Sequence, residues 1–429
     1  MSNQENEKVI LAGVYETGVR SAGTMEDFMH SMDELEELCK ACYMEPVTQI
    51  MQQLDRANTA LYIGPGKLEE LKEQAELHEA DLVIFNDTLS PSQLRNLQDG
   101  LSTAVMDRTS LILEIFQTRA KTREAKLQVE LARLKYLKPR LVGMRKALTR
   151  QGGTSGSMSS RGAGEKKLEI DRRRIDSRIA ELSRELKEVE KERETQRKAR
   201  QKARIPLAAL VGYTNAGKST IMNALVDKYS GKEEKKVFEA DMLFATLDTT
   251  VRKIETGGNR DFLLSDTVGF IRKLPTGLVE AFKSTLEEVK DADLLIHVVD
   301  YSDENYRDHV QTTIETIADL DAGHIPMLMV YNKVDLCEER EPGRAADGLY
   351  ISAKEDASID LLVETILEKV YGDYIIADFL IPYEKGNLTA YLMEHAQIIE
   401  QDYRAEGTYL KASCHRADLG KLSAYRVLD

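Results

Sequence analysis

The run Gly212-Tyr213-Thr214-Asn215-Ala216-Gly217-Lys218-Ser219 follows an apolar stretch, Ile205–Val211, and opens a helical pattern. A glycine-rich turn between strand and helix can wrap its amides around a β-phosphate. Lys218 would then bridge the β- and γ-phosphates, and Ser219 would ligate Mg2+. Downstream, Leu264-Ser265-Asp266-Thr267-Val268-Gly269 ends a second apolar strand candidate. There Asp266 would hold Mg2+ through water, and the Gly269 amide could sense the γ-phosphate. Between them lies Phe244-Ala245-Thr246-Leu247-Asp248, in which Thr246 is the expected second Mg2+ hydroxyl, ahead of Thr249 and Thr250. Catalysis is expected from Lys218, Thr246 and Gly269, and loss of the γ-phosphate contacts would relax both segments.

The base is selected by Asn332-Lys333-Val334-Asp335, at the end of the apolar run Met327–Tyr331. An aspartate accepts from guanine N1 and N2 together. Adenine offers neither donor pattern, so a buried acceptor there would stay unpaired and GTP is favoured over ATP. Ser352-Ala353-Lys354 would add a backbone amide for the guanine carbonyl oxygen. Phe270 follows Gly269, where many signalling GTPases place the glutamine that orients the attacking water. A phenyl ring cannot do that, so slow intrinsic hydrolysis is expected, accelerated by a partner or an ion. Asn215 resembles the asparagine that binds K+ in potassium-dependent GTPases.

These segments need a parallel α/β scaffold, and the remaining length calls for more units than one. At 429 residues, with 42% hydrophobic and 31% charged residues, the chain reads as a soluble multidomain α/β protein. No apolar run approaches the roughly 18 to 20 residues of a membrane span, and the polar start, Met1–Lys8, lacks a signal-peptide pattern. The cytoplasm is the expected compartment and a monomer the expected state. Four cysteines indicate no disulfide framework, and Cys39-x-x-Cys42 lacks the further pair that a zinc site requires.

The division expected is an α/β domain over 1–108, a helical arm over 109–204, the P-loop GTPase domain over 205–372 with a mixed, mostly parallel sheet, and a small α/β tail over 373–429. In the first, Val9–Val14, Val47–Met51, Asp81–Phe85 and Ser102–Met106 are strand candidates, and Met25–Lys40, Gly66–His78 and Ser90–Asp99 helix candidates. Ser90-Pro91 supplies an N-cap and a first-turn proline. The tail reads as Tyr374–Ile381, Asn387–His395 and two runs around Ile398–Tyr403 and Thr408–Ser413.

In the arm, Leu113, Ala120, Leu127, Leu134 and Leu141 recur every seven residues, and Pro139 should end or kink this helix near Lys138. Leu168, Ile175, Ile179, Leu182, Leu186 and Val189 form a second such seam. Two helices joined by a Gly/Ser-rich tip, 151–164, would make an antiparallel hairpin reaching about 45 Å. From Thr118 to Arg204 there are 27 Lys/Arg against 12 Asp/Glu, in a chain of net charge −14. Such a local cationic stretch suits phosphate binding. Arg161, Lys166, Lys167, Arg172, Arg173 and Arg174 are the candidate RNA contacts, with Arg145, Lys146 and Arg150 before the tip.

With Gly-Tyr-Thr-Asn-Ala-Gly-Lys-Ser, Phe-Ala-Thr-Leu-Asp, Asp-Thr-Val-Gly-Phe and Asp171-Arg-Arg-Arg-Ile175, the chain resembles the HflX family of ribosome-associated GTPases. Leu127-Gln-Val-Glu-Leu-Ala132, Tyr136-Leu-Lys-Pro-Arg-Leu141 and Gly64-Pro-Gly66-Lys67 extend the resemblance over most of the chain. It implies binding to the 50S subunit and its 23S rRNA, a tip reaching toward the peptidyl-transferase region, and splitting of idle or stalled 70S ribosomes. That family's tip usually reads close to Gly-Gly-x-Gly-x-Arg-Gly-Pro-Gly-Glu. The longer tip here, with Arg161-Gly-Ala-Gly-Glu165, admits specialisation toward antibiotic-blocked ribosomes. The resemblance also implies ATP use by the first domain, but Gly64-Pro-Gly-Lys is too short for a P-loop and reads as a glycine turn before a helix. A ribosome-assembly GTPase and an RNA-binding or tRNA-modification switch stay open as other readings.

Overall fold

The structure is a computed structural model. It describes residues 6–18, 23–141, 159–203, 205–229, 244, 250–257, 260–267, 269–273, 289–338, 340–372, 374–416 and 419–427. Contacts divide the chain into two compact units. The first holds Met1–Glu190, Ala240–Asp248 and Ile271–Lys283, and the second holds Lys191–Glu239, Thr249–Phe270 and Ser284–Asp429.

In the first unit, β1 (Lys8–Glu16), β2 (Glu45–Leu54), β3 (Leu82–Phe85) and β4 (Ala104–Asp107) form a parallel sheet of order β2-β1-β3-β4. Crossovers are made by α1 (Met25–Ala41), α2 (Pro65–Leu77) and α3 (Pro91–Leu101). Their starts follow local chemistry. Thr24 and Asp27 form a capping box on α1, as Ser90 and Gln93 do on α3, which satisfies amides the helix cannot. Gly64 is the N-cap of α2, and Lys67 pairs with Glu70 at 2.7 Å. Ile10, Ala12, Val83, Phe85, Leu71 and Leu97 fill the core. Cys39 lies buried, and burial pushes its thiol up and that of Cys42 to about 12; neither is a reactive thiolate at neutral pH.

A polar network crosses this unit. Arg108, 1% exposed, donates to Asn86 Oδ1 at 2.8 Å, to the Ser31 carbonyl at 3.2 Å, to the Arg272 carbonyl at 3.3 Å and to Glu34. Arg272 faces Asp27 at 3.4 Å, and Lys273, left-handed at φ 55°, reaches Asp87 at 2.6 Å. Phe244 is buried edge-on against Phe116, with ring centroids 4.7 Å apart.

The arm departs from the expected continuous heptad helix. α4 (Arg108–Arg119) stops where Ala120 turns extended, and α5 (Arg123–Leu137) starts anew because the Thr122 hydroxyl accepts from the Ala125 amide. The break reflects that cap chemistry, which the seven-residue repeat does not register. α5 ends at Leu137, before Pro139. α6 runs from Ser159 to Ala203, so the part of the expected tip loop from Ser159 to Gly164 is helical. Gly162 and Gly164 lower helix propensity by about 1 kcal/mol each, but no proline removes an amide there. Leu127 and Leu131 of α5 pack with Leu182 and Leu186 of α6, flanked by Leu134 and Ile179. Arg178–Glu130 at 2.7 Å and Arg123–Glu185 at 2.9 Å bridge the same seam.

The second unit carries a seven-stranded mixed sheet of order β10-β11-β9-β8-β5-β7-β6. Its strands are β5 (Leu207–Val211), β6 (Thr250–Ile254), β7 (Phe262–Asp266), β8 (Leu294–Asp300), β9 (Met327–Asn332), β10 (Gly343–Arg344) and β11 (Leu349–Tyr350). Only the outer pairs, β6·β7 and β10·β11, are antiparallel. α7 (Lys218–Tyr229) and α9 (Asp356–Val370) supply Ile221, Leu225, Leu362 and Ile366 to one face, and α8 (Tyr306–Asp319) supplies Ile317 to the other. Beyond it, β12 (Tyr374–Ile381), α10 (Gly386–His395), β13 (Gln397–Arg404), β14 (Gly407–His415) and β15 (Arg426–Val427) form a sheet of order β13-β14-β12-β15. Its pairs are antiparallel, around Phe379 and Leu410. Among the described residues, no helix is long and apolar enough to cross a membrane.

Candidate nucleotide site

The carboxyl ends of the parallel strands β5, β8 and β9, with that of β7, carry the predicted chemistry, where open α/β sheets bind ligands. After β5 the chain turns through Gly212, φ 147°, where a Cβ would lie 2.2 Å from the Val298 carbonyl oxygen. Asn215 adopts φ 61°, a left-handed conformation that asparagine tolerates. Gly217 follows at φ 94°, and a Cβ there would strike Asn332 Nδ2 at 2.2 Å. These backbone demands explain the residue types around Ala216, which is buried.

Lys218 opens α7 and folds back, donating from Nζ to the carbonyls of Tyr213 at 2.7 Å and Gly212 at 3.0 Å. Burial pushes its pKa down to about 8, against the pull of nearby Asp266. An ammonium held by backbone carbonyls in so dry a place fits a polyanionic phosphate chain. Ser219 Oγ donates to Asp266 Oδ2 at 3.2 Å, so β7 and α7 bring together two of the three expected Mg2+ residues. Thr267 Oγ1 donates to the Leu210 carbonyl at 2.6 Å. Thr246, with Ala245, Leu247, Asp248 and Val268, lies outside the described residues.

Gly269 sits against the phosphate turn. A Cβ on it would meet Thr214 Cγ2 at 2.8 Å and Lys218 Nζ at 3.1 Å, so only glycine fits. Phe270 is zipped to the same turn. Its amide donates to the Gly212 carbonyl at 3.1 Å, and the Thr214 amide donates to its carbonyl at 2.9 Å. The ring is 2% exposed and packs with Val211, Val289 and Leu295.

At the base end, Asn332 Nδ2 donates to the Ala216 carbonyl and Oδ1 accepts from the Ala353 amide, both at 3.0 Å. One buried side chain thus ties the phosphate turn to Ser352-Ala353-Lys354. The Ala353 amide is therefore taken, and the Lys354 amide lies 3.4 Å from Ser352 Oγ. Lys333, φ 65°, reaches Asp300 Oδ2 at 2.6 Å, and Val334 is buried. For Asp335, burial pushes the pKa upward, but hydrogen bonds from Ser352 and Lys354 outweigh it and hold the carboxyl below its ordinary value. It is an ionised acceptor at neutral pH.

Three family models match in succession: one described as GTP-binding GTPase N-terminal over 29–117, one as GTP-binding GTPase Middle Region over 119–200, and one as 50S ribosome-binding GTPase over 207–333. The GTPase HflX of Caldanaerobacter subterraneus is 47% identical over 382 residues, covering 89% of this chain and 87% of its own. The chain belongs to the HflX family. The GTPase HflX of Escherichia coli is 38% identical over 389 residues, with 89% of each chain covered. Among solved structures, a GTP-binding protein of the archaeon Sulfolobus solfataricus in complex with GDP aligns with 84% of this chain and 98% of its own, at 24% identity and a TM-score of 0.42.

As an HflX-family member with this phosphate turn, the chain is a GTP hydrolase. Sequence reasoning missed several residues that build the site. His309 of α8 stacks on Tyr213, with centroids 3.9 Å apart and planes 9° apart, and itself lies 3.6 Å from Asp303. Asp300, which holds Lys333, ends a strand that no motif marked; the apolar run Leu294–Val299 was the available signal. Nothing in the sequence pointed to His309. Of the candidate RNA contacts, Arg172, Arg173 and Arg174 are exposed on α6, with Arg173 paired to Glu169 at 2.5 Å. The side chains of Arg161, Lys166 and Lys167 lie outside the described residues.

Proposed function

We propose that this HflX-family GTPase binds the 50S subunit through 23S rRNA in its GTP state. There it splits idle, stalled or antibiotic-blocked 70S ribosomes, and hydrolysis releases it. The observation that carries this reading is Phe270. With its ring buried and its backbone tied to Gly212, the position that would orient water has no polar side chain, so the site is suited to activation by an outside partner. The match to a family described as 50S ribosome-binding and the exposed arginines of α6 support the large ribosomal subunit as that partner.

In this reading Lys218 holds the β- and γ-phosphates, the amides of residues 213–219 cradle them, and Gly269 senses the terminal one. Asp335 fixes the guanine edge while Asn332 holds the loops around it. Ser219, Thr246 and, through water, Asp266 would hold Mg2+, which would supply charge neutralisation to the phosphates. In this reading Asn215 helps to hold K+, so turnover with ribosomes should be faster in potassium than in sodium buffer. The protein acts as a cytoplasmic monomer.

Sedimentation with purified 70S and 50S particles in GTP, GDP and a non-hydrolysable analogue tests the reading. GTP-loaded protein should pellet with 50S and raise free subunits. If it does neither, the ribosomal reading fails.

A further inference from the structure

α8 reaches the nucleotide site through one ring. His309, in the first turn of that helix, covers the ring of Tyr213, with centroids 3.9 Å and planes 9° apart. The imidazole is itself held from several sides. Its backbone amide donates to the Asn305 carbonyl at 3.2 Å, and its carbonyl accepts from the buried Thr313 hydroxyl at 2.9 Å. Asp303 Oδ2 lies 3.6 Å from Nδ1, and the Asn305 amide fixes that carboxylate by donating to Oδ1 at 2.8 Å. Tyr213, 6% exposed, carries the largest side chain of a turn that contains Gly212 and Gly217. Glycines lose much conformational freedom on ordering, so the Tyr213 ring is the turn's main anchor. The Tyr213 carbonyl accepts from Lys218 Nζ at 2.7 Å. A continuous set of contacts therefore runs from Asp303 through His309 and Tyr213 to the ammonium.

We infer that His309 is a positioning residue for GTP binding and hydrolysis. By stacking on Tyr213 it orders the phosphate turn and keeps the Tyr213 carbonyl, and with it Lys218, where the phosphates are received. It deepens the nucleotide reading above and rests on it. His309 touches no phosphate; it acts through the ring it covers. An aromatic pair contributes about twofold to tenfold to an equilibrium constant beyond the area it buries.

The test uses the full chain with His309→Ala, which removes the ring, and His309→Phe, which restores a ring without its nitrogens. Titration calorimetry with GDP and with the β,γ-imido analogue of GTP is read beside single-turnover hydrolysis at saturating GTP and thermal unfolding without nucleotide. His309→Ala should weaken both nucleotides about threefold to tenfold and slow the single turnover by a similar factor, and His309→Phe should return both to within about twofold of the parent. Tyr213→Leu should repeat the losses, and adding His309→Ala to it should cost nothing further, because the two rings act as one unit. Where His309→Ala fails to fold, His309→Gln takes its place. A lowered melting temperature with parent affinities and rate would overturn the proposal, leaving His309 a prop of α8 only. Losses that add in the double variant, or that His309→Phe does not recover, would overturn it too. GDP binding by the parent is the separate control: its absence would overturn the site reading itself.

Discussion

The Phe270 amide donates to the Gly212 carbonyl at 3.1 Å, which makes the residue after Gly269 a β-bridge partner of the phosphate turn. A side chain introduced at 270 inherits the buried place of the phenyl ring. Phe270→Gln is therefore expected to leave intrinsic turnover within about threefold. It should also destabilise the protein by about 1 to 3 kcal/mol by burying an amide among Val211, Val289 and Leu295. Single-turnover hydrolysis without ribosomes, beside denaturant unfolding, checks both. A hundredfold faster rate would show that position 270 can reach the water.

Asp335 is held ionised by Ser352 and Lys354 despite the burial that opposes it. Asp335→Asn should weaken GTP binding about a hundredfold or more, because the new amide presents a donor to guanine N1–H and N2–H2. Xanthosine triphosphate, which has a carbonyl in place of that amine, should bind better than GTP to the variant. Competition titrations with both nucleotides decide it. Retained GTP preference would place the base elsewhere.

Much of this site was legible because its chemistry is local. Gly212, Gly217 and Gly269 are required by single close approaches, and Lys218, Asp266, Asn332 and Asp335 lie at or just beyond strand ends, where short motifs mark them. The strands of the first sheet were legible as apolar runs, and the seam of Leu127, Leu131, Leu182 and Leu186 as a repeat. What was not legible depends on contacts remote in sequence. His309 meets Tyr213 across 96 positions (309 − 213). The interruption at Ala120 follows one hydroxyl cap within an intact repeat, and the helical stretch Ser159–Gly164 runs against glycine content.

Burial, with Lys218 nearby, pushes the His297 pKa from 6.5 down to about 4. A native pKa below the unfolded one means that the unfolded chain binds the extra proton between those values. The stability from the neutral ring is full above pH 6.5 and is lost as pH falls toward 4, by about 3 kcal/mol. Denaturant unfolding at pH 7, 5.5 and 4.5 should show His297→Leu losing less stability on acidification than the parent. Parallel losses in the two proteins would contradict the buried neutral imidazole.

Leu182 is fully buried between α5 and α6. Leu182→Ala should cost about 3 kcal/mol and lower protection of α5 amides in hydrogen exchange, while GDP binding stays unchanged. Unaltered exchange would mean that the seam does not hold the arm.

Arg172, Arg173 and Arg174 are exposed, and the pairing of Arg173 with Glu169 is a surface contact of little strength. Replacing all three by glutamine should weaken 50S binding and reduce the slope of log affinity against log salt by up to about 2 to 3. An unchanged slope would make them a solvated face.

The central claim is that this GTP hydrolase is completed by the large ribosomal subunit. The rate of GTP hydrolysis with and without purified 50S tests it most directly. A rise of about tenfold or more is predicted, dependent on Lys218 and abolished by Lys218→Ala. The same slow rate in both conditions would contradict the account.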